Sequence, residues 1–363
     1  MLRVPLLGQC RVAPLGKGLP FPSACALPWP SSGTLSITEL PAWPTRDSIL
    51  RKQLTIGVVG VGYLGRFHAL IYSRHPDVDL VGVVDSDPQR AEAVAAEAGC
   101  AAFIDGAELL GKVDAVSIVV PTTAHLAVSR QFLDRGVHVL LEKPIATTVA
   151  EGAEIVAAAE RAGVILQIGH LERFNAGVMA LAERIEGPRF IEAHRMSPFV
   201  ARATDVDVIS DLMIHDIDIV LSLVNAEIAH ISAAGSAVLT DHIDIANARI
   251  EFSNGAVANV IASRVSREKM RRIRVFQHHR YQSLDFIEQH LDVAYPQERP
   301  GERWPEIVAE RIDIEPAKPL DAEIDAFVRS VRTGEAPLVG GAVGLRALEV
   351  ALQVKAKIEA AGG

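Results

Sequence analysis

The stretch TIGVVGVGYLGRFHALI, residues 55–71, restricts the fold more than any other part of the chain. A β-rich apolar run leads into Gly60, Gly62 and Gly65, and a helical period follows through Phe67, Leu70 and Ile71. Glycines at that spacing, between a strand and a helix, meet three needs of a dinucleotide site. The first allows a tight turn, the second lets backbone approach a pyrophosphate, and the third lets helix pack on sheet. The helix N-terminus adds partial positive charge. A second strand, VDLVGVVD, ends at Asp85, about 20 residues beyond Gly65, where a carboxylate can accept from both adenosine ribose hydroxyls and repel a 2′-phosphate. The alternative for Asp85 is a cap on the helix that starts at Pro88. NAD is therefore expected ahead of NADP, with Arg90 as a possible phosphate partner.

The alternation continues through helix AEAVAAEAG, strand DAVSIVVP, a helix from His125, strand VHVLLEKP, helix AEGAEIVAAAERAG and strand VILQIGH. Strands and helices in that rhythm imply a doubly wound parallel sheet, a Rossmann domain. Ligands gather at the C-terminal strand ends of such sheets, where VVPTTAH and LLEKP lie. Lys143 is thus expected beside the nicotinamide end of the cofactor, or else on the open surface. After residue 225 the pattern changes to short strand-like runs. DIANARIEF and AVANVIASRV flank Ser253-Asn254-Gly255, a hairpin signal, and RRIRVFQHHRYQSLDF adds two further strand candidates.

A formal charge of −9 argues against a nucleic-acid partner held by phosphate neutralisation. No apolar run approaches the roughly 20 residues needed to cross a bilayer. The three cysteines, Cys10, Cys25 and Cys100, lack metal-ligand spacing and fit a reducing cytosol with no metal site. The first 52 residues hold 8 of the 20 prolines and no acidic residue before Glu39. They read as a disordered extension, a start assigned too far upstream or, against the lack of an amphipathic period, a targeting segment.

Residues 211–220, DLMIHDIDIV, place titratable groups in a core-like helix. At about 100° per residue, Asp211, His215 and Asp218 share one stripe and Asp216 points elsewhere. The stripe is either a wetted polar edge or a catalytic face aimed into a cleft.

Taken together, GVVGVGYLGRFHA, VVPTTAH, LLEKPIA, QIGHLERFN, DLMIHDID and EIDAFVRSVRTGEAPLVGGAVGLRALEVA resemble the glucose–fructose oxidoreductase / inositol dehydrogenase (Gfo/Idh/MocA) family. The resemblance runs from about residue 54 to 358. It implies a Rossmann domain (53–172), an α/β substrate and oligomerisation domain with a large, mostly antiparallel sheet (173–335), and a C-terminal helix (336–363) that returns to the first domain. It implies an NAD-dependent dehydrogenase in which Lys143, Asp211 and His215 are catalytic. His215 would act as base, Asp211 would orient its ring, and Lys143 would hold the substrate oxygen; Asp216 and Asp218 would be structural. The cofactor would be held by Gly60, Gly62, Tyr63, Leu64, Gly65, Asp85, Pro121, Thr122, His125 and Glu142. Two departures stand out. The family's glycine between the aspartate and the histidine is Met213 here, and its threonine–proline–asparagine step is Pro121-Thr122-Thr123.

For the substrate, GHLERFN offers His170, Arg173 and Asn175, and FIEAHRMSPFVAR offers Arg195 and Arg202. With Arg264, Arg267, Lys269, Arg271, Arg272 and Arg274 they suggest a substrate carrying a diphosphate. The same segments resemble the branch that oxidises C3 of UDP-N-acetylglucosamine towards amino-substituted lipid A sugars. An inositol or free-sugar dehydrogenase and a non-catalytic NAD-binding regulator are the alternatives. A cytoplasmic homo-oligomer, working ahead of an aminotransferase, is the expected setting.

Overall fold

In a computed structural model of the chain, which describes residues 53–200, 206–315 and 317–362, the glycine-rich stretch joins the first strand to the first helix. The expected N-terminal extension, residues 1–52, and Arg202 lie outside the described residues. Six strands, β1 (Leu54–Val59), β2 (Val78–Val84), β3 (Ala101–Phe103), β4 (Ala115–Ile118), β5 (His138–Glu142) and β6 (Leu166–Gly169), form a parallel sheet in the order 3-2-1-4-5-6. This is the doubly wound order, in which the crevice for ligand opens beyond the C-terminal ends of the central strands. Both faces of the sheet are covered, so Val58, Ile118, Val139 and Leu141 have no exposed surface.

Helices α1 (Tyr63–Arg74), α2 (Pro88–Ala98), α3 (His125–Leu133) and α4 (Val149–Ala162) make the crossovers. The cap on α2 is Asp87, whose side chain accepts from Gln89 N–H and Arg90 N–H. Asp85 is therefore not the cap. The face of α1 turned to the sheet differs from the expected one. Phe67 is exposed, and the buried stripe is Gly65, His68, Ala69, Ile71 and Tyr72.

The second sheet has eight strands. They are β7 (Phe190–Met196), β8 (Ile228–Ser236), β9 (Ile245–Phe252), β10 (Val257–Ser263), β11 (Met270–Gln277), β12 (Arg280–Asp285), β13 (His290–Gln297) and β14 (Glu306–Asp313), in the order 14-13-12-11-7-10-9-8. All pairs are antiparallel except β7 with β10. The Ser253-Asn254-Gly255 step is the β9–β10 turn, with Gly255 at φ 80° and Asn254 Oδ1 accepting from Ala256 N–H. One face of the sheet is apolar. Ala193, Ile250, Val260 and Ile273 pack there against α6 (Ile214–Leu223) and α8 (Gly341–Ala360). Alternate residues, among them Phe190, Glu192, His194 and Arg274, belong to the opposite face.

The C-terminal elements tie the two sheets together. Ile324, Phe327 and Val328 of α7 (Pro319–Thr333) lie in the core under the first sheet with Ile56 and Tyr72. Helix α8 is shared: Leu348 packs in the first sheet's core, and Val350, Ala351 and Val354 pack in the second's.

Candidate active site

A cavity of about 600 Å³ opens at the ends of β1 and β2, lined by Gly60, Gly62, Asp85, Arg90, Val120 and Pro121. Gly60 sits at φ 85°, and a Cβ there would stand 2.5 Å from Val119 O. A Cβ on Gly65 would stand 1.9 Å from Gly60 O, so only glycine lets α1 meet the turn. Gly62 faces open space, as a residue that must admit a ligand to its backbone should. No side chain caps α1, which leaves its first N–H groups for an anion. Tyr63 is exposed and Leu64 half-buried on the first turn. Asp85 Oδ2 accepts from Val61 N–H at 2.9 Å and Oδ1 from Asp87 N–H at 3.0 Å, while the Arg90 guanidinium lies 3.1 Å away. These residues fit a dinucleotide: open backbone and a helix end for the pyrophosphate, and a placed carboxylate for the ribose.

The loops after β4 and β5 meet beside this cavity. His125 is buried, with Nδ1 2.9 Å from Pro144 O and Nε2 3.0 Å from Val120 O. Its ring thus ties the Pro121-Thr122 loop to the Lys143 loop and is spent on backbone. Glu142 is also buried, and Oε2 accepts from Lys143 N–H at 3.2 Å.

Lys143 reaches across to the second sheet's helix. Its Nζ donates to Asp211 O at 2.7 Å and lies 3.6 Å from Asp211 Oδ1. Burial lowers its pKa, opposed by Asp211 and Glu142. Residues Ile209–Met213 form a π-helical turn before α6, so the even 100° stripe is broken between Asp211 and His215. The expected contact from Asp211 to the imidazole is replaced by one to Lys143, and His215 Nδ1 has no hydrogen-bond partner. His215 is 9% exposed, and its pKa is lowered well below the ordinary value by burial, then by Lys143 and Arg195. Its imidazole is therefore held neutral.

The residues expected to grip substrate are placed differently from one another. His170 is fully buried with both ring nitrogens unpartnered, edge-on to His215 at 6.4 Å. Its pKa is pushed down to about 3 by burial, then by Lys143 and Arg173. Arg173 pairs with buried Asp218 at 3.4 Å. Asn175 caps α5 (Ala176–Ala182), accepting from Gly177 N–H at 2.9 Å. Arg195, 3% exposed, grips both oxygens of Asp216 at 2.8 and 2.9 Å and Glu172 at 2.8 Å. Arg272 and Arg274 likewise face Asp285 and Glu192. Of the arginines that suggested a diphosphate, Arg173, Arg195, Arg272 and Arg274 are thus engaged with carboxylates.

A second cleft of about 370 Å³ runs from Lys143 and Asp211 to Asp207, His242 and Lys355, with Thr122 at its wall. Sequence reasoning selected none of Asp207, His242 and Lys355. Lys355 lies on α8, 3.0 Å from Asp207, and no spacing rule links a C-terminal lysine to a loop so remote in sequence.

Two family models match the chain. The first, described as an oxidoreductase family with an NAD-binding Rossmann fold, covers residues 54–170, and the second, a GFO/IDH/MocA C-terminal domain, covers 183–279. UDP-N-acetylglucosamine 3-dehydrogenase of Acidithiobacillus ferrooxidans is 41% identical over 305 residues, spanning 84% of this chain and 97% of that protein. The chain belongs to the Gfo/Idh/MocA oxidoreductase family. The solved structure of that dehydrogenase superposes with a TM-score of 0.79 at 40% identity, covering 85% of this chain and 98% of its own. A scyllo-inositol 2-dehydrogenase (NAD(+)) of Bacillus subtilis is 30% identical over 236 residues, covering 60% of this chain and 69% of its own. As a Gfo/Idh/MocA protein, this chain is an NAD-binding oxidoreductase. Its departure at Met213 ends the π-helical turn, and the side chain is buried in the second sheet's core.

Proposed function

We propose that this protein oxidises the C3 hydroxyl of UDP-N-acetylglucosamine, with NAD as hydride acceptor, in the route to amino-substituted lipid A sugars. The observation that carries this reading is the 41% identity to a dehydrogenase of that substrate over almost the whole of that enzyme. The engaged arginines do not carry it.

When bound, NAD supplies the acceptor for the hydride. It would be held by the backbone at Gly60 and Gly62, by the first turn of α1 and by Asp85. The chain supplies the proton chemistry. Lys143 has one N–H on Asp211 O and others free to donate to the substrate oxygen, favouring the developing alkoxide. Asp211 keeps that amine in place. His215, held neutral by burial beside Lys143, accepts the hydroxyl proton. The presence of both Lys143 and His215 favours an enzyme over a regulator that only binds NAD.

A homo-oligomer fits the second sheet, whose outward-facing residues include Phe190, Ile261 and Phe276 beside charged ones. A cytoplasmic setting fits the cysteine content, and among the described residues no helix is long and apolar enough to cross a membrane. A 3-keto sugar product calls for an aminotransferase to consume it. The test is product identity: incubation with NAD and UDP-N-acetylglucosamine, reduction with borodeuteride, and NMR of the recovered hexosamine. Deuterium at C3 supports the reading; deuterium at another carbon, or none, overturns it.

A further inference from the structure

Behind Lys143 lies a buried set of polar groups that the chemistry above leaves unused. Tyr72 and His68 of α1, Ser117 of β4 and Glu323 of α7 have no exposed surface, and Glu142 of β5 is 6% exposed. Their contacts run towards the lysine. The Tyr72 hydroxyl lies 2.8 Å from Ser117 Oγ, and Ser117 Oγ lies 3.2 Å from His68 Nδ1. His68 Nε2 faces Glu142 Oε1 at 3.3 Å, and Glu142 Oε2 accepts from Lys143 N–H. The fold makes room for this carboxylate, since a Cβ on Gly169 would stand 2.9 Å from it.

Burial raises the Tyr72 pKa, so its hydroxyl stays neutral and shares one hydrogen bond with Ser117. Ser117 Oγ and His68 Nδ1 share a second hydrogen bond, while His68 Nε2 and Glu142 Oε1 lie face to face with no other partner. Glu323 is the odd member. Its backbone carbonyl accepts from Gln167 Nε2 at 3.1 Å, yet neither side-chain oxygen has a partner. Burial, then the charge on Glu142, raises its pKa well above the carboxylate range. Two carboxyls in one dry site do not both ionise.

We propose that Glu142, packed against His68 and bonded to the Lys143 backbone, is a positioning residue for Lys143: its carboxylate fixes the loop that carries the amine and presents an anion to it. This rests on the reading of Lys143 as an active-site group. The charges facing Lys143 come from several elements: Asp211 from the π-helical turn, Glu142 from β5, Arg195 from β7, and the imidazoles of His170 and His215. Asp211 and Glu142 favour the ammonium, and Arg195 opposes it. Those facing Glu142 are His68, His125, Glu323 and Lys143 itself.

The experiment reads the amine directly. The full-length protein, without substrate, is acylated with limiting acetic anhydride across a pH series, and modification of Lys143 is followed by peptide mass spectrometry. Glu142→Gln should move the Lys143 midpoint down by about one pH unit, because an anion that favours the charged amine is gone. Glu142→Asp, which keeps the charge, should hold the midpoint while lowering kcat, as a misplaced loop would. Glu323→Gln, which exchanges a neutral acid for a neutral amide, should leave the midpoint in place. An unmoved midpoint in Glu142→Gln overturns the proposal. So does a fall in Glu323→Gln, which would make Glu323 the charged partner and which decides the matter should Glu142→Gln not fold. Full turnover by Lys143→Ala would instead sink the active-site reading and leave the labelling result standing.

Discussion

Arg195→Ala separates a buried structural arginine from a substrate-binding one. In the native chain its guanidinium answers Asp216 through two hydrogen bonds and Glu172 through a third. Asp216 and Glu172 are themselves buried. Truncation leaves two carboxylates in a dry site without their cation, and breaking a buried pair in this way costs about 3–5 kcal/mol. That is a large share of the roughly 5–15 kcal/mol that holds a typical domain together. With a urea slope of about 3 kcal/mol/M, the midpoint of unfolding should fall by about 1 M or more. A variant carrying Arg195→Met together with Asp216→Asn and Glu172→Gln removes the stranded charges and should recover most of the loss. The assay is urea unfolding followed by circular dichroism at pH 7, beside steady-state kinetics. A wild-type midpoint in Arg195→Ala, with KM raised for the sugar, would refute the structural role and return the side chain to the ligand surface.

Other expectations follow from the same geometry. His215→Ala should lower kcat by roughly 10²–10⁴ while NAD affinity, measured by fluorescence titration, stays within about twofold; turnover near wild type would remove the ring from the mechanism. Asp85→Ser should weaken NAD and relax discrimination against NADP, because the acceptor for the ribose is lost, and steady-state kinetics with both cofactors would show it. An unmodified protein that already prefers NADP would contradict that reading. Burial pushes the Asp218 carboxyl up to about 7, against the pull of Arg173, from an unfolded value near 3.9. The folded state therefore holds this proton more tightly, and the stability it contributes is full below the unfolded value and lost as pH rises through about 7. Asp218→Asn should flatten the decline in melting temperature between about pH 4 and pH 7; parallel curves would refute the assignment.

The first sheet was legible because local signals and tertiary need coincide. Gly60 and Gly65 stand where any Cβ would meet backbone, and Ser253-Asn254-Gly255 closes its hairpin through its own turn chemistry. Lys143 was legible for a related reason: a strand end fixes where the next residues emerge. What escaped depends on distance or on broken periods. The π-helical turn at Ile209–Met213 hands Asp211 to Lys143, which a constant helical angle does not foresee. Arg195 looked like a ligand-binding residue because its partners, Glu172 and Asp216, lie on other elements. Lys355 and Glu323 enter the two sites only when the last two helices dock, and no local pattern encodes that docking. His68 had a weak signal, a histidine within the helix that packs on the sheet, yet the period was traced through Phe67 instead.

The central claim is hydride transfer from C3 of a nucleotide sugar, and isotopic transfer tests it most directly. UDP-N-acetylglucosamine carrying deuterium at C3 is incubated with the protein, NAD and an aminotransferase to draw off the ketone, and the reduced cofactor is examined by mass spectrometry. Reduced NAD bearing one deuterium, formed far faster than with free N-acetylglucosamine or inositol, is the predicted result. Unlabelled reduced cofactor, or turnover of inositol or a free sugar with none of any nucleotide sugar, would contradict it.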